Sequence, residues 1–236
     1  MSNPTRTFLN NCSNFRQSFF GADCLLCGAY AGHDNLCAAC HDHLPYLQSE
    51  RCRICANPTT GSFICGSCLA KPPHFTHTLA IFSYDFPVDA LIQSLKYHGN
   101  LALASSFAQM LAEACSTCPK PDFVMPVPLH PVKLRERGFN QAREIARIVS
   151  KKTGIPMISS RKIRDTPSQT SLPWKERERN IRGAFACGSD LKSKHVAIVD
   201  DVMTTGSTLN ELAKVLLEQG AGEISAWVVA RAVKSV

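Results

Sequence analysis

Two adjacent carboxylates precede a run of hydroxyl side chains in the stretch VAIVDDVMTTGSTLNE, residues 196–211. Asp200 and Asp201 follow four apolar residues, and Gly206 interrupts the hydroxyls, where it lets the backbone approach a ligand closely. Hydroxyls, a glycine and the N-terminus of a following helix make a cradle for one phosphate group. The hydroxyl residues are Thr204, Thr205, Ser207 and Thr208. Carboxylates beside a phosphate favour a ligand that also carries hydroxyls or a metal, such as a ribose 5-phosphate.

Eight cysteines form four Cys-x2-Cys pairs in the first third of the chain, and the first two pairs recur 28 residues later. Such pairs place two thiolates on one turn, and two pairs supply the four soft ligands of tetrahedral zinc. The spacing favours two sequential sites, one of Cys24, Cys27, Cys37 and Cys40 and one of Cys52, Cys55, Cys65 and Cys68. An interleaved pairing of the same cysteines stays open. Because four thiolates leave no open coordination position, we expect two structural zinc ions.

The compartment follows from the same cysteines and from the hydropathy of the chain. A disulfide interpretation would require an oxidising compartment, which nothing in the sequence indicates. The chain contains no apolar run of about 18 residues or more that could span a membrane, and its N-terminus lacks the pattern of a secretory signal. We therefore expect a cytoplasmic protein without a membrane span.

Strands and helices alternate after the cysteines. A linker at 71–77 precedes a strand at 78–86, and amphipathic helices are predicted at 88–97 and 101–115. Four apolar runs, each of strand length, then occur at 123–128, 155–160, 196–201 and 226–231. Around the third of these runs, three elements follow one another. VAIV is predicted to be a buried strand, DDVMTTGST the loop after it, and LNELAKVLLEQG a helix. This order predicts an α/β fold with a parallel sheet flanked by helices, over residues 78–236, preceded by a zinc-ribbon module at 20–70.

The acidic pair followed by TTG resembles the phosphoribosyl pyrophosphate (PRPP) signature of type I phosphoribosyltransferases. Two further segments, PVPLHPVKLRERGFNQAREIA at 126–146 and QTSLPWKERERNIRGAF at 169–185, resemble the ComF family of competence proteins. Members of that family join an N-terminal zinc-binding region to a phosphoribosyltransferase domain. By this resemblance Asp200 and Asp201 would hold the ribose hydroxyls, residues 204–208 would hold the 5-phosphate, and Mg²⁺ would accompany PRPP.

Basic residues are concentrated between Pro131 and Arg182, a segment with fourteen Lys or Arg and five Asp or Glu. The whole chain has a net charge of +7. Such an excess favours an anionic partner, either phosphate or nucleic acid. Arg137 is our main candidate for a phosphate clamp, because a guanidinium pairs with two phosphate oxygens. Asn140 is predicted to cap the next helix. Further candidates for pyrophosphate or DNA contacts are Lys133, Arg135, Gln169, Arg177, Arg179 and Lys96, each of which also suits a solvated surface.

Three functions remain open at this point. The ComF resemblance implies a role in natural transformation, with a PRPP-binding site and handling of single-stranded DNA, beside a DNA-uptake helicase. The second is an active phosphoribosyltransferase that transfers the phosphoribosyl group of PRPP to an unknown acceptor. The third is a transcriptional regulator in which the zinc ribbons read duplex DNA.

Overall fold

The computed structural model describes residues 23–32, 35–61, 63–164 and 181–233. Packing divides the chain into two compact units, Met1–Leu44 and Pro45–Val236. The helices and strands, in chain order, are α1 Ala38–Asp42, α2 Gly66–Ala70, β1 His77–Ser83, α3 Val88–His98, α4 Leu101–Ala114, β2 Phe123–Pro126, α5 Pro131–Arg137, α6 Gln141–Thr153, β3 Arg161–Lys162, β4 Phe185–Ala186, β5 His195–Met203, α7 Ser207–Glu218 and β6 Glu223–Arg231. A 3₁₀ turn at Cys115–Thr117 follows α4.

The first unit is a small ribbon built around its cysteines. An antiparallel bridge joins Asp23 to Tyr30 on either side of the first cysteine pair, and the short helix α1 starts directly after Cys37. Among the described residues of this unit, the buried aliphatic side chains are Leu36 and Leu44. A metal ion bound by the four thiols would add to the stability that this packing provides.

The second cysteine ribbon lies in the same unit as the sheet. Tyr46 pairs antiparallel with Phe82 of β1, and Thr78 of β1 donates its backbone N–H to the carbonyl of Arg53 at 3.0 Å. Cys52, Cys55 and Cys68 share one hydrophobic cluster with residues of the sheet. The second ribbon is therefore anchored along the edge strand β1. The module boundaries at 20–70 and 78–236, which rest on the sequence repeat, stay a prediction.

Within the described residues, four parallel strands form the main sheet in the order β1-β6-β5-β2. The two central strands are almost entirely buried, as continuous apolar strands of a parallel sheet should be. The predicted strand at 155–160 is wrong, because this segment makes only an isolated bridge from Met157 to Val124. Pro156 lacks the N–H that a regular ladder would need there.

The strand that carries the acidic pair is longer than predicted. The loop was expected to begin at Asp200, whereas β5 continues to Met203 and pairs there with Arg231 of β6. Asp200 and Asp201 are therefore fixed by the ladder of hydrogen bonds, and only residues 204–206 form the turn into α7. This rigid placement matters for the site, because both carboxylates project from a sheet rather than from a mobile loop.

Helices cover the sheet and confirm the predicted α/β fold. Leu209, Leu212 and Leu216 of α7 lie in one core cluster with Val196 and Ile198 of β5. The intervening strand residues, Ala197 and Val199, are fully buried as well, and α6 contacts both β2 and β5. Both predicted helices before β2 are present, and the first ends at Gly99 in the left-handed conformation.

No helix in the described ranges is both long enough and apolar enough to cross a membrane.

Candidate functional site

A cavity of about 230 Å³ opens where β2 and β5 end, which is where open α/β sheets bind their ligands. The segment after β2, the end of β5 and the first turn of α7 form its walls. Charged and aromatic side chains line it: Lys96, Lys133, Arg137, Lys162, Asp200, Asp201, Tyr84, Tyr97 and Phe185. Four of these are cations and two are carboxylates, so the cavity is suited to a ligand that is anionic and also rich in hydroxyls.

The acidic pair is held in a defined geometry by the backbone and by one lysine. The Asp200 carboxylate accepts the N–H of Asp201 at 2.9 Å, and the Asp201 carboxylate accepts the N–H of Val202 at 2.9 Å. Lys96 of α3 places its Nζ 2.6 Å from Asp201 Oδ2, and the two side chains are only 19% and 4% exposed. The ion pair thus neutralises the charge of Asp201, and Asp200 lies beside it in the wall of the cavity.

Protonation differs between the members of this cluster. Burial raises the pKa of Asp200 well above its ordinary value, and the adjacent Asp201 charge raises it further. Burial lowers the pKa of Lys96, but the charges of Asp201 and Asp200 outweigh this effect and raise it overall. Lys96 is therefore fully charged at neutral pH, and Asp200 is the carboxyl group whose charge a bound cation would favour most.

The hydroxyl residues of the turn surround the start of α7. Thr205 Oγ1 accepts the N–H of Ser207 at 3.1 Å, and the two hydroxyl oxygens lie 2.7 Å apart. Gly206 has a φ of +77° and occupies the position before the helix, a conformation that suits glycine. Gly206 at the N-cap has no side chain to accept from the helix, so the helix dipole and the N–H groups that follow Ser207 face the cavity, where a phosphate would be stabilised.

Arg137, the residue predicted as a phosphate clamp, lines the cavity. Its Nη1 donates to Gln141 Oε1 at 2.7 Å, and its guanidinium lies 5.5 Å from the centre of the Tyr97 ring, within reach of a cation–π contact. The neighbouring Asn140 accepts the N–H of Arg143 at 3.3 Å and donates to the carbonyl of Val127 at 3.0 Å. The predicted cap on α6 is thus present, and it also fixes the segment that carries Arg137.

The other candidate contact residues separate into three groups. Lys133 and Lys96 line the same cavity as Arg137, whereas Arg135 is exposed on α5 and is not among the residues that line it. Gln169, Arg177 and Arg179 lie outside the described residues. Their proposed contacts with pyrophosphate or DNA stay a prediction.

The cysteines come together as two sequential tetrads. In the part of the chain that the structure describes, Cys24, Cys27, Cys37 and Cys40 form one group and Cys52, Cys55, Cys65 and Cys68 the other, with all Sγ atoms of a group within 4.8 Å of one another. Sγ–Sγ distances of 3.7 Å and 3.6 Å suit a tetrahedral ion with Zn–S bonds of about 2.3 Å. Two structural zinc ions fit these thiols.

Backbone N–H groups favour the thiolate form at matching positions of the two tetrads. Burial raises the pKa of Cys24, but N–H groups of Cys37 and Cys27 outweigh this effect and lower it to about 6. At Cys52 burial acts in the same way, and N–H groups of Cys65 and Cys55 lower the pKa to about 7. Other thiols of the same tetrads shift the opposite way, because hydrogen bonds with Cys27 and Cys24 raise the pKa of Cys40 to about 12 and burial raises that of Cys55 to about 11. Each tetrad thus contains one thiol that favours the thiolate, the form that binds zinc.

Two residues near the cavity escaped the sequence reasoning. Lys162 lies on the two-residue strand β3, too short to show any periodicity, so no signal in the sequence indicated it. Arg231 ends the apolar strand β6 and is only 2% exposed. A lone charge after a continuous apolar run at the carboxyl end of a central strand was the signal that could have found it.

Comparisons with known proteins agree with this arrangement. A family model of the double zinc ribbon domain matches residues 15–69, and a model of the phosphoribosyl transferase domain matches residues 119–235. Competence protein F of Haemophilus influenzae is 30% identical, covering 91% of this chain and 99% of that protein. DNA utilization protein YhgH of Escherichia coli is 32% identical over 85% of this chain and 92% of its own. Competence protein ComFC of Bacillus subtilis is 24% identical over 88% and 94%.

The relatives match nearly end to end. The zinc ribbon model covers both cysteine tetrads, and the phosphoribosyl transferase model covers β2, β5 and the turn into α7, which form most of the cavity wall. The chain belongs to the ComF family of competence proteins, which combine a double zinc ribbon with a phosphoribosyltransferase domain.

Proposed function

We propose that the cavity binds PRPP or a related phosphoribosyl ligand together with Mg²⁺. The observation that carries this proposal is the single cavity lined by a rigid acidic pair, a hydroxyl-rich turn at a helix N-terminus and several cations. Each feature matches one part of the ligand. The carboxylates suit ribose hydroxyls, the turn suits the 5-phosphate, and the cations suit the pyrophosphate.

The residues divide the binding task among themselves. Asp200 and Asp201 accept hydrogen bonds from the ribose hydroxyls, and residues 204–208 donate backbone and hydroxyl hydrogens to the 5-phosphate. Arg137, already oriented by Gln141 at 2.7 Å, meets the pyrophosphate, with Lys133 on the same helix beside it. Lys96 keeps two adjacent carboxylates from repelling one another.

The donor set of the cavity also fits magnesium. Mg²⁺ prefers oxygen ligands and is commonly bound by one or two carboxylates together with the phosphates of a substrate. Asp200 is the carboxylate for this role, because Asp201 Oδ2 already meets Lys96 at 2.6 Å. The ion would neutralise pyrophosphate charge within the site.

Isothermal titration calorimetry with Mg-PRPP tests the binding proposal. We expect saturable binding to the zinc-loaded protein and its loss in Asp200→Asn/Asp201→Asn. Arg137→Ala should weaken binding about tenfold or more, since a charge-assisted pair is removed. Arg135→Ala is the matched control, because it removes a guanidinium two residues away that does not line the cavity. Equal losses in both arginine variants, or no binding to the unaltered protein, would refute the proposal.

We further infer a role in natural transformation, in which the protein handles single-stranded DNA. The support is the excess of nine positive charges between 131 and 182, together with the names of the relatives, which refer to competence and DNA utilization. A DNA-uptake helicase is the proposed protein partner, and the cytoplasm the proposed location. Regular phosphate spacing along a strand gives a basic surface many equivalent contacts.

Fluorescence anisotropy with a labelled single-stranded oligonucleotide tests the DNA proposal. Affinity should fall with salt on a log–log plot, with a slope of about −0.7 for each phosphate neutralised. A duplex of the same sequence is the control, and tighter binding to a specific duplex would favour the transcriptional regulator instead. Repeating the titration with saturating Mg-PRPP measures coupling between the two ligands.

The alternative, an active phosphoribosyltransferase, draws support from the aromatic part of the cavity. Tyr84, Tyr97 and Phe185 line it beside the acidic pair, and such rings suit a planar acceptor. In this reaction the bond from ribose C1 to pyrophosphate breaks, the acceptor forms a new bond to C1, and its proton leaves to solvent. Release of pyrophosphate that depends on an added acceptor would establish turnover, and its absence across purine, pyrimidine and amine acceptors would leave ligand binding as the function.

A further inference from the structure

Arg231 connects the turn at residues 204–206, which precedes α7, to the segment that carries the second cysteine tetrad. It ends β6 and pairs in register with Met203, the last residue of β5. Its side chain is almost fully buried, with 2% of the residue exposed. A buried guanidinium is costly unless its N–H groups all find acceptors, so the partners of Arg231 reveal what it holds.

Within the described chain, those partners belong to two segments far apart in sequence. Nε donates to the carbonyl of Cys55 at 2.7 Å, and Nη2 donates to Asn57 Oδ1 at 2.7 Å. Nη1, which carries two hydrogens, lies within hydrogen-bonding distance of three carbonyls, those of Met203 at 2.9 Å, Thr204 at 2.5 Å and the chain neighbour Ala232 at 2.6 Å. One guanidinium therefore joins the Cys52–Cys55 turn of the second ribbon to the backbone of Met203 and Thr204, where the turn into α7 begins.

Other contacts surround the same junction. Phe75, which is 3% exposed, lies against the turn, since a Cβ built on Gly206 would lie 3.8 Å from its ring. Asn210 of α7 accepts the N–H of His74 at 2.7 Å. The turn is thus supported from behind by the chain that leaves the second ribbon, and its conformation depends on how that ribbon is folded.

We propose that Arg231 is a positioning residue that couples zinc in the second tetrad to phosphoribosyl binding at residues 204–208. The inference rests on the proposed function, and it adds that zinc in the second tetrad regulates the affinity for the phosphoribosyl ligand. The Cys55 carbonyl accepts from one edge of the guanidinium, and the Thr204 carbonyl accepts from the opposite edge. Cys55 would hold a zinc ion through its Sγ, and without that ion the turn at Cys55 would be less constrained and Arg231 would lose one of its two sets of acceptors.

The sequence repeat supplies a matched pair of variants. Cys65 and Cys37 occupy equivalent places in the two tetrads, are both half-buried, and each precedes a five-residue helix. Cys65→Ser should weaken Mg-PRPP binding in calorimetry by about tenfold, a common size for coupling between sites. Cys37→Ser should change it less than twofold, because no acceptor of Arg231 belongs to the first tetrad. Equal effects of the two variants would overturn the proposal.

Coupling is reciprocal, so the unaltered protein gives a second test. Mg-PRPP should slow the modification of Cys52, Cys55, Cys65 and Cys68 by N-ethylmaleimide, followed by mass spectrometry, and leave the first tetrad unchanged. Arg231→Lys keeps the charge but cannot reproduce the fork of hydrogen bonds. In that variant zinc should still bind and Mg-PRPP should bind about tenfold more weakly, as in Cys65→Ser, and at saturating Mg-PRPP the protection of the second tetrad should disappear. Protection that persists in Arg231→Lys would assign Arg231 a structural role only.

A ligand-free measurement separates this inference from the proposed function. Hydrogen exchange of the backbone at residues 203–209 should increase in Cys65→Ser and in Arg231→Lys, relative to Cys37→Ser. If the unaltered protein fails to bind Mg-PRPP but the exchange increases, the binding proposal fails while the mechanical link stands. If PRPP binds and neither its affinity nor the exchange responds to the second tetrad, the link fails alone.

Discussion

Lys96 Nζ and Asp201 Oδ2 lie 2.6 Å apart although α3 and β5 are separated by most of the domain in sequence. Both side chains are largely buried, at 19% and 4% exposure. Such a pair gains little net stability relative to apolar residues, yet breaking it leaves a buried charge without compensation. The lysine therefore allows two adjacent aspartates to stand at the end of a central strand, and it does so before any ligand arrives.

Replacing Lys96 with Met should destabilise the protein strongly. Loss of one partner from a buried ion pair costs about 3–5 kcal/mol, because the remaining charge stays desolvated. Adding Asp201→Asn to Lys96→Met should restore much of that loss, since the uncompensated charge is then removed. Urea unfolding of the single and double variants measures both effects.

The pH dependence of that pair has a definite sign. Because the pKa of Lys96 is raised in the folded state, its contribution to stability is complete below the unfolded pKa of about 10.5 and is lost as pH rises through the folded value. Unfolding of the wild type should therefore become easier in strongly alkaline solution, and Lys96→Met should lack this alkaline loss. An unchanged alkaline profile in Lys96→Met would contradict the assignment.

A side chain at Gly206 should strain the turn and displace Met203. The φ of Gly206 is +77°, and a Cβ there would lie 2.7 Å from Met203 Cε, so the flexible end of this buried methionine would have to shift. Backbone strain costs roughly 1–2 kcal/mol for a residue other than glycine. We expect Gly206→Ala to lower stability by about this amount and to weaken Mg-PRPP binding.

Gly154 provides the control for Gly206. It has a similar φ of +70° at the end of α6, but a Cβ there meets nothing within 4 Å. Gly154→Ala should pay the same cost in backbone strain and leave ligand binding unchanged. If both variants bind Mg-PRPP equally in calorimetry, the close packing behind the turn has no functional weight.

The motif residues were predictable because their chemistry is local in sequence. Asp200, Asp201 and the hydroxyl turn fall within a short stretch, and the strand before it predicts where the stretch must lie in a parallel sheet. Asn140 was identified as a helix cap for the same reason, since a cap bonds a backbone N–H three residues away. The extension of β5 to Met203 was missed, because two acids and four hydroxyls read as loop when only their polarity is considered.

Contacts between segments far apart in the chain could not be predicted from the sequence. Lys96 meets Asp201 because α3 packs near the end of β5, and Arg231 meets Cys55 because β6 passes beside the second ribbon. Neither segment has a sequence pattern that indicates which residue it contacts. The repeat of cysteine pairs even suggests two equivalent ribbons, whereas packing makes the second ribbon part of the sheet-containing unit. Equivalence in sequence does not determine what a ribbon packs against.

Zinc content should distinguish sequential from interleaved ligation. Cys27 and Cys37 place their Sγ atoms 3.7 Å apart in the first tetrad. Under sequential pairing, the double variant Cys27→Ser/Cys37→Ser loses one ion and keeps the second. Interleaved pairing would take one ligand from each site and compromise both ions. Native mass spectrometry counts the bound ions directly, with Cys55→Ser/Cys65→Ser as the reciprocal variant, since these two residues also come from different Cys-x2-Cys pairs.

Two histidines at the amino ends of β1 and β5 should make the protein less stable in mild acid. Burial lowers the pKa of His77, and the nearby charges of His195 and Arg53 add to this while Glu223 opposes it. Burial also lowers the pKa of His195, against the charges of Glu223 and Asp122. Its Nε2 lies 2.9 Å from Ser225 Oγ. Folding therefore favours the neutral rings, and stability should decline as pH falls below about 6.5.

Urea unfolding between pH 7 and pH 5.5, in excess zinc, tests this assignment. Each histidine can contribute a slope of at most about 1.4 kcal/mol per pH unit, reached where the unfolded ring is protonated and the folded ring is not. His195→Gln keeps a polar partner for Ser225 and should flatten the profile, whereas His98→Gln changes an exposed ring at the end of α3. An equal slope in the two variants would mean that other groups govern the acid response. A flatter profile in His195→Gln alone would assign the acid response to the amino ends of the strands, opposite the cavity. Ligand binding should then be unaffected by that substitution.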